Sequence, residues 1–126
     1  MKRIALIEDN EDNRLLVEVL LSDRFQLDEY EDGRSGMAGL RSNKPDLVLL
    51  DISLPFQSGI EVLQEIRADA SLADLPVIAL TAHAMADDKE EFLSKGFDAY
   101  VSKPILDERI LFEAIDKLLA AGPEPH

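Results

Sequence analysis

The sequence predicts an α/β fold, a doubly wound parallel sheet of five strands covered by helices on both faces. Three observations carry that expectation. Short apolar runs and amphipathic stretches alternate five times, in units of roughly 25 residues, and alternation with short connections is the pattern of βα units. Two of the runs, Leu47-Val48-Leu49-Leu50 and Val77-Ile78-Ala79-Leu80, are continuously apolar, as in strands buried on both faces. The stretches between the runs repeat their apolar residues at helical spacing.

The first strand is expected over 3–7 and the first helix over 11–22. In that helix Leu16, Val17, Leu20 and Leu21 form the stripe of a buried face. Leu15 and Val19 form a second ridge, roughly 150° around a helix of ~3.6 residues per turn. The second strand, 25–30, contains Gln26, Asp28 and Glu29 and suits a sheet edge. Next come a helix over 34–43, a strand over 46–50, a helix over 58–69 and a strand over 76–80. The last elements are a helix over 84–96, a strand over 98–102 and a helix over 107–121. Ile110, Leu111, Ala114, Ile115, Leu118 and Leu119 make one apolar stripe on the final helix, and Gly122-Pro123 stops it. The expected organisation is one domain over 1–121 with a short tail over 122–126, either a free end or the start of a linker.

Composition narrows the function classes. The 126 residues suffice for one core. No Cys is present, so neither a disulfide framework nor a thiolate metal site is available. The apolar run after Met1-Lys2-Arg3 ends at Glu8, too short for a signal peptide, and no stretch reaches the ~20 apolar residues of a membrane span. A cytoplasmic protein is expected. The net charge of −13 repels phosphate backbones and argues against direct nucleic-acid binding.

The functional expectation comes from the residues at the strand ends. Glu8-Asp9 lie just past the first apolar run, Asp51 past the third and Thr81 past the fourth, while Lys103-Pro104 come after the fifth strand. Carboxyl ends of parallel strands converge on one edge, where such folds bind ligands. Three carboxylates brought together require a raised pKa on one of them or a bound cation. Oxygen donors without Cys favour Mg²⁺ or Mn²⁺. Such an ion shares itself with a phosphate, and Lys103 and Thr81 suit phosphoryl oxygens. A carboxylate placed beside such a cation can be the nucleophile, forming an aspartyl phosphate. Taken alone, Glu8-Asp9 would also suit the positive end of the first helix, Thr81 would suit a helix cap, and Tyr100 would suit the core.

These residues resemble the receiver domain of two-component response regulators. The acidic pair Glu8-Asp9, Asp51 with Pro55 and Gly59 downstream, Thr81-Ala82, and Tyr100 with Lys103-Pro104 match that family's motifs in order. Glu8 in place of Asp and Leu54 in place of Met are the departures. The resemblance implies a flavodoxin-like sheet in the order 2-1-3-4-5 flanked by five helices, with Asp51 as phosphoacceptor. It implies Mg²⁺ at Asp9, Asp51 and the Ser53 carbonyl, with Glu8 acting through water. It further implies a phosphoryl-binding switch of Thr81, Ala82, Lys103 and Tyr100, a cis bond before Pro104, and tuning of dephosphorylation by Ser53 and His83.

The expected function is therefore that of a stand-alone response regulator. A histidine kinase or histidine phosphotransfer protein would donate the phosphoryl group, and a downstream protein would read it, as monomer or phosphorylation-dependent dimer. No output domain is expected. A Leu15/Val19 ridge with Arg14 and Asp12 at its polar rim would receive the donor's helix bundle. A Mg²⁺-dependent phosphohydrolase is the enzymatic alternative, but its acid two residues after the nucleophile is replaced here by Ser53. A receiver that binds partners without phosphorylation is the third class, and it usually lacks the Asp or Lys present here.

Overall fold

The computed structural model describes residues 2–82, 88–103, 105 and 107–120. The elements run β1 (Arg3–Ile7), α1 (Glu11–Leu21), β2 (Gln26–Tyr30), α2 (Gly33–Ser42), β3 (Leu47–Asp51), α3 (Gly59–Ala68), β4 (Val77–Thr81), α4 (Asp88–Lys95), β5 (Ala99–Ser102) and α5 (Glu108–Ala120). The strands lie in the order β2-β1-β3-β4-β5, every neighbouring pair parallel. The tail over 122–126 lies outside the described residues, as do His83, Pro104 and the expected first turn of α4.

The period-2 alternation of each strand decides which helices cover which face. Ile4, Leu6, Leu47, Leu49, Ile78 and Leu80 point to one side, where Val17 and Leu21 of α1 and Leu111 and Ile115 of α5 pack on them. Their sequence neighbours Ala5, Ile7, Val48, Leu50, Val77 and Ala79 point to the other, against Met37 and Leu40 of α2, Val62, Leu63 and Ile66 of α3, and Phe92 of α4. β3 and β4 are buried along their whole length, while β2 is a half-exposed edge.

Asp51 and Thr81 are the last residues of β3 and β4, not the first residues beyond them. The apolar run stops one residue earlier, but the ladder continues: Asp51 stands opposite Leu80 and Thr81 opposite Ser102. The Ile52 N–H reaches the Leu80 carbonyl at 3.0 Å, and the Lys103 N–H reaches the Thr81 carbonyl at 2.8 Å. Backbone pairing does not require an apolar side chain, so hydropathy alone ends these strands too soon. Phe25, expected to open β2, precedes it and is buried in the core.

Candidate functional site

The strand order reverses at β1, which has β2 on one side and β3 on the other. A crevice opens there at the carboxyl ends, because the connections leave toward opposite faces. Glu8 and Asp9 leave β1 into it, Asp51 ends β3 beside them, and Lys103 comes directly after β5.

Glu8 is fully buried and Asp51 nearly so, while Asp9 is exposed. Lys103 holds the two buried acids: its Nζ is 3.0 Å from Glu8 Oε1 and 3.2 Å from Asp51 Oδ2. The other oxygens are also engaged. Glu8 Oε2 accepts from the Asn10 N–H at 3.1 Å and Asp51 Oδ1 from the Ser53 N–H at 3.0 Å. Among the described residues no buried side-chain nitrogen or oxygen lacks a partner.

Electrostatics sets Glu8 apart. Burial, followed by the hydrogen bond to Asp51, pushes its carboxyl up to about 7, against the opposing pull of the Asn10 amide and Lys103. Burial works against the Lys103 ammonium, but the hydrogen bond to Glu8 and the charges of both acids outweigh it and hold its pKa above the ordinary lysine value. Ligand oxygens of Glu8, Asp9 and Asp51 lie within 4.8 Å of one another. Lys103 pairs with two of these acids and Asp9 lies beside them unpaired among the described residues, leaving an excess of negative charge that an oxygen-seeking divalent cation would neutralise. The donor set fits Mg²⁺.

Local sequence explains the positions. The cap of α1 is Asn10, whose side chain accepts from the Asn13 N–H at 3.0 Å, so Glu8 and Asp9 are released from capping. Gly59 opens α3 after a capping box of Ser58 and Glu61. A Cβ on Gly59 would collide with the Asp51 carbonyl oxygen and come within 2.8 Å of the Ile52 Cα. A side chain there would displace the strand end that carries Asp51.

Of the expected residues, Glu8, Asp9, Asp51 and Lys103 come together, and Thr81, buried at the end of β4, lies next to Asp51's strand. Ser53 and Ala82 are exposed on the loops beyond β3 and β4. Tyr100 is half-buried on the α4 side, its ring 6.2 Å from that of Phe92. Leu15 and Val19 are 57% and 66% exposed, as the second-ridge reading requires. Arg14, expected at the polar rim of that ridge, is half-buried on α1. Its Nη1 donates to the backbone carbonyls of Glu8 at 2.8 Å and Asp9 at 3.1 Å, because long helical side chains lean back toward the helix N-terminus.

Sequence reasoning missed Phe56. It is fully exposed on the β3–α3 loop, five residues past Asp51, with φ 66°. A bulky residue in the left-handed region is strained. With Pro55 and Gln57 it walls a cavity of about 320 Å³ that Asp32, Gly33 and Arg34 close from the α2 side. Its position between Pro55 and a run of polar residues is the signal that was available.

Comparison with known proteins agrees with this geometry. The family model of the response regulator receiver domain matches residues 4–116, and the chain belongs to that family, the phosphorelay modules of two-component signalling. It is similar to the polar-differentiation response regulator DivK of Brucella ovis, with 42% identity covering 82% of this chain and 85% of that protein. DivK of Brucella anthropi is 38% identical over the same shares. A hybrid signal transduction histidine kinase of Dictyostelium discoideum matches 91% of this chain at 37% identity, over 7% of its own length. Among solved structures, the receiver domain of a Pseudomonas aeruginosa sensor histidine kinase superimposes with a TM-score of 0.85 at 29% identity, covering 94% of this chain and 98% of that one. That structure has a magnesium ion coordinated in its active site cleft. The chemotaxis protein CheY4 of Vibrio cholerae shares the fold, with a TM-score of 0.84 at 21% identity, covering 93% of this chain and 98% of that one. Among the described residues no helix is long and apolar enough to cross a membrane.

Proposed function

We propose that this receiver domain takes a phosphoryl group onto Asp51 from a phosphohistidine. The observation that carries this reading is the burial of Asp51 at a strand end, 3.2 Å from the Lys103 ammonium and within reach of two further acids. An Asp51 carboxylate oxygen forms a bond to phosphorus, the phosphorus–nitrogen bond breaks with its electron pair going to nitrogen, and the leaving imidazole takes a proton from water. Lys103, already held between Glu8 and Asp51, pairs with a phosphoryl oxygen, and the Thr81 hydroxyl donates to another. Asp9, Asp51 and the Ser53 carbonyl would hold Mg²⁺, with Glu8 acting through water; the ion supplies neutralisation of charge on the transferring group.

The protein is a signalling partner in this reading, not a turnover enzyme, since Ser53 stands where a phosphohydrolase has its acid. It acts in the cytoplasm. The donor is a histidine kinase or histidine phosphotransfer protein, seated on the Leu15/Val19 ridge that α1 leaves exposed. Thr81 and Tyr100 relay the phosphorylated state to the face made by α4, β5 and α5.

Intact mass after incubation with a small acyl-phosphate and Mg²⁺ is the test. The wild type should gain one phosphoryl group that persists for minutes and Asp51→Asn should gain none. In the same assay with a protein donor, Leu15→Lys combined with Val19→Lys should slow transfer while small-donor labelling stays at the wild-type rate. Equal labelling of Asp51→Asn refutes the acceptor, rapid release of free phosphate makes the protein an enzyme, and equal transfer to the double variant refutes the ridge.

A further inference from the structure

We infer that Arg14 is a positioning residue for the metal-binding acids, aiming Asp9 by holding the backbone that carries it. The inference rests on the reading of Glu8, Asp9 and Asp51 as the Mg²⁺ site. The Glu8 side chain needs no such help: it is buried, and Lys103 and the Asn10 N–H engage its two oxygens. Asp9 is different. Its carboxylate is exposed and makes no hydrogen bond or ion pair among the described residues, yet one of its oxygens belongs to the 4.8 Å cluster. Its aim is set by the backbone alone.

That backbone is a three-residue connection between β1 and α1. At its ends the Glu8 N–H is bonded to the Tyr30 carbonyl at 2.9 Å, and the Asn10 carbonyl accepts the Arg14 N–H at 3.0 Å. Between them the Glu8 and Asp9 carbonyls turn away from both ladder and helix, and Arg14 Nη1 takes both. One guanidinium nitrogen carries two N–H groups at a fixed planar angle. Two successive peptide planes are thus oriented by one rigid group, and with them the direction of the Asp9 side chain.

Charge alone predicts the opposite effect from geometry, which makes the role decidable. Removing a positive side chain near a cation site should strengthen Mg²⁺ binding. Removing a positioning group should weaken it, by about tenfold if it behaves as residues supporting metal ligands typically do. A lysine keeps the charge without the planar fork and should recover only part of the affinity.

Calorimetric Mg²⁺ titration of the wild type, Arg14→Ala and Arg14→Lys, paired with amide hydrogen exchange on the metal-free proteins, tests this. The expected result is affinity reduced about tenfold in Arg14→Ala and less in Arg14→Lys, with faster exchange at Glu8 and Asn10 and unchanged exchange in β3 and β4. Small-donor labelling of Arg14→Ala should then slow at limiting Mg²⁺ and regain most of its rate at saturation. Unchanged or tighter Mg²⁺ binding in Arg14→Ala overturns the inference, as do full recovery by lysine and a uniform rise in exchange across the sheet. If the wild type binds Mg²⁺ with this dependence but is never labelled on Asp51, the positioning role stands and the phosphoacceptor reading falls. If the wild type binds no Mg²⁺, both fall.

Discussion

The two ends of the sheet each carry a cation among oxygen acceptors, and they solve the problem differently. At the amino ends of the strands Arg67, in the last turn of α3, donates to the carbonyls of Ala73 at 2.9 Å, Leu75 at 2.6 Å and Gly96 at 2.7 and 3.3 Å. It also meets Asp98 at 3.0 Å, whose same oxygen accepts the Val77 N–H at 2.8 Å. One charge meets one charge, and neutral carbonyls use the remaining donors. At the carboxyl ends Lys103 meets two buried carboxylates with a third beside them. The first end is balanced and can be rigid. The second carries uncompensated negative charge, with Glu8 left hungry for a proton, and that imbalance is what a metal ion and a phosphoryl group can exploit.

Three changes would break or sharpen this contrast, in decreasing order of expected effect. Arg67→Ala leaves the Ala73, Leu75 and Gly96 carbonyls without this charged donor and Asp98 with only the Val77 N–H, and should lower unfolding free energy by about 3–4 kcal/mol. Its Mg²⁺ affinity should match the wild type. Denaturant unfolding beside a Mg²⁺ titration checks this, and a weakened metal site would mean that the two ends are not separate devices.

The second is pH. Because the folded state holds the Glu8 proton up to about 7 rather than near the ordinary glutamate value of 4.5, folded protein binds more protons than unfolded protein between those limits. The stability due to Glu8 is fully present below about 4.5 and is lost as pH rises toward 7, on the order of 3 kcal/mol in the absence of metal. Glu29, raised by burial and by Glu18, acts in the same direction. Mg²⁺, which favours the carboxylate form, should flatten the decline, as should Glu8→Gln. Unfolding midpoints measured across this range in chelator and in Mg²⁺ would contradict the charge imbalance at the site if stability in chelator rose instead.

The smallest effect concerns strain. Phe56→Gly exchanges a left-handed phenylalanine, costing ~1–2 kcal/mol, for the ~0.5–1 kcal/mol entropic cost of glycine. The variant should be more stable by about 0.5–1 kcal/mol, measured by denaturant unfolding. A loss of stability would show that the Phe56 ring makes contacts that outweigh its backbone.

The class of fold, the alternation of elements and the positions of Glu8, Asp9, Asp51, Thr81 and Lys103 at strand ends were legible from residue order alone. Hydrophobic periodicity is a local property, and a parallel sheet brings its carboxyl ends together whatever fills them. The strand order and the site roles came from the resemblance of those motifs to the receiver family. Other features required the folded chain. The full burial of Glu8, which raises its pKa, and its pairing with Lys103, distant in sequence, exist only in the folded chain. Arg14 was legible as a charged residue on α1 but not as a holder of the Glu8 and Asp9 carbonyls, and Arg67 stood out in no pattern. Side-chain types leave a mark in the sequence, whereas nearly every residue offers the same backbone carbonyl. Which carbonyl an arginine reaches is therefore decided only when the strands, helices and loops have taken their places.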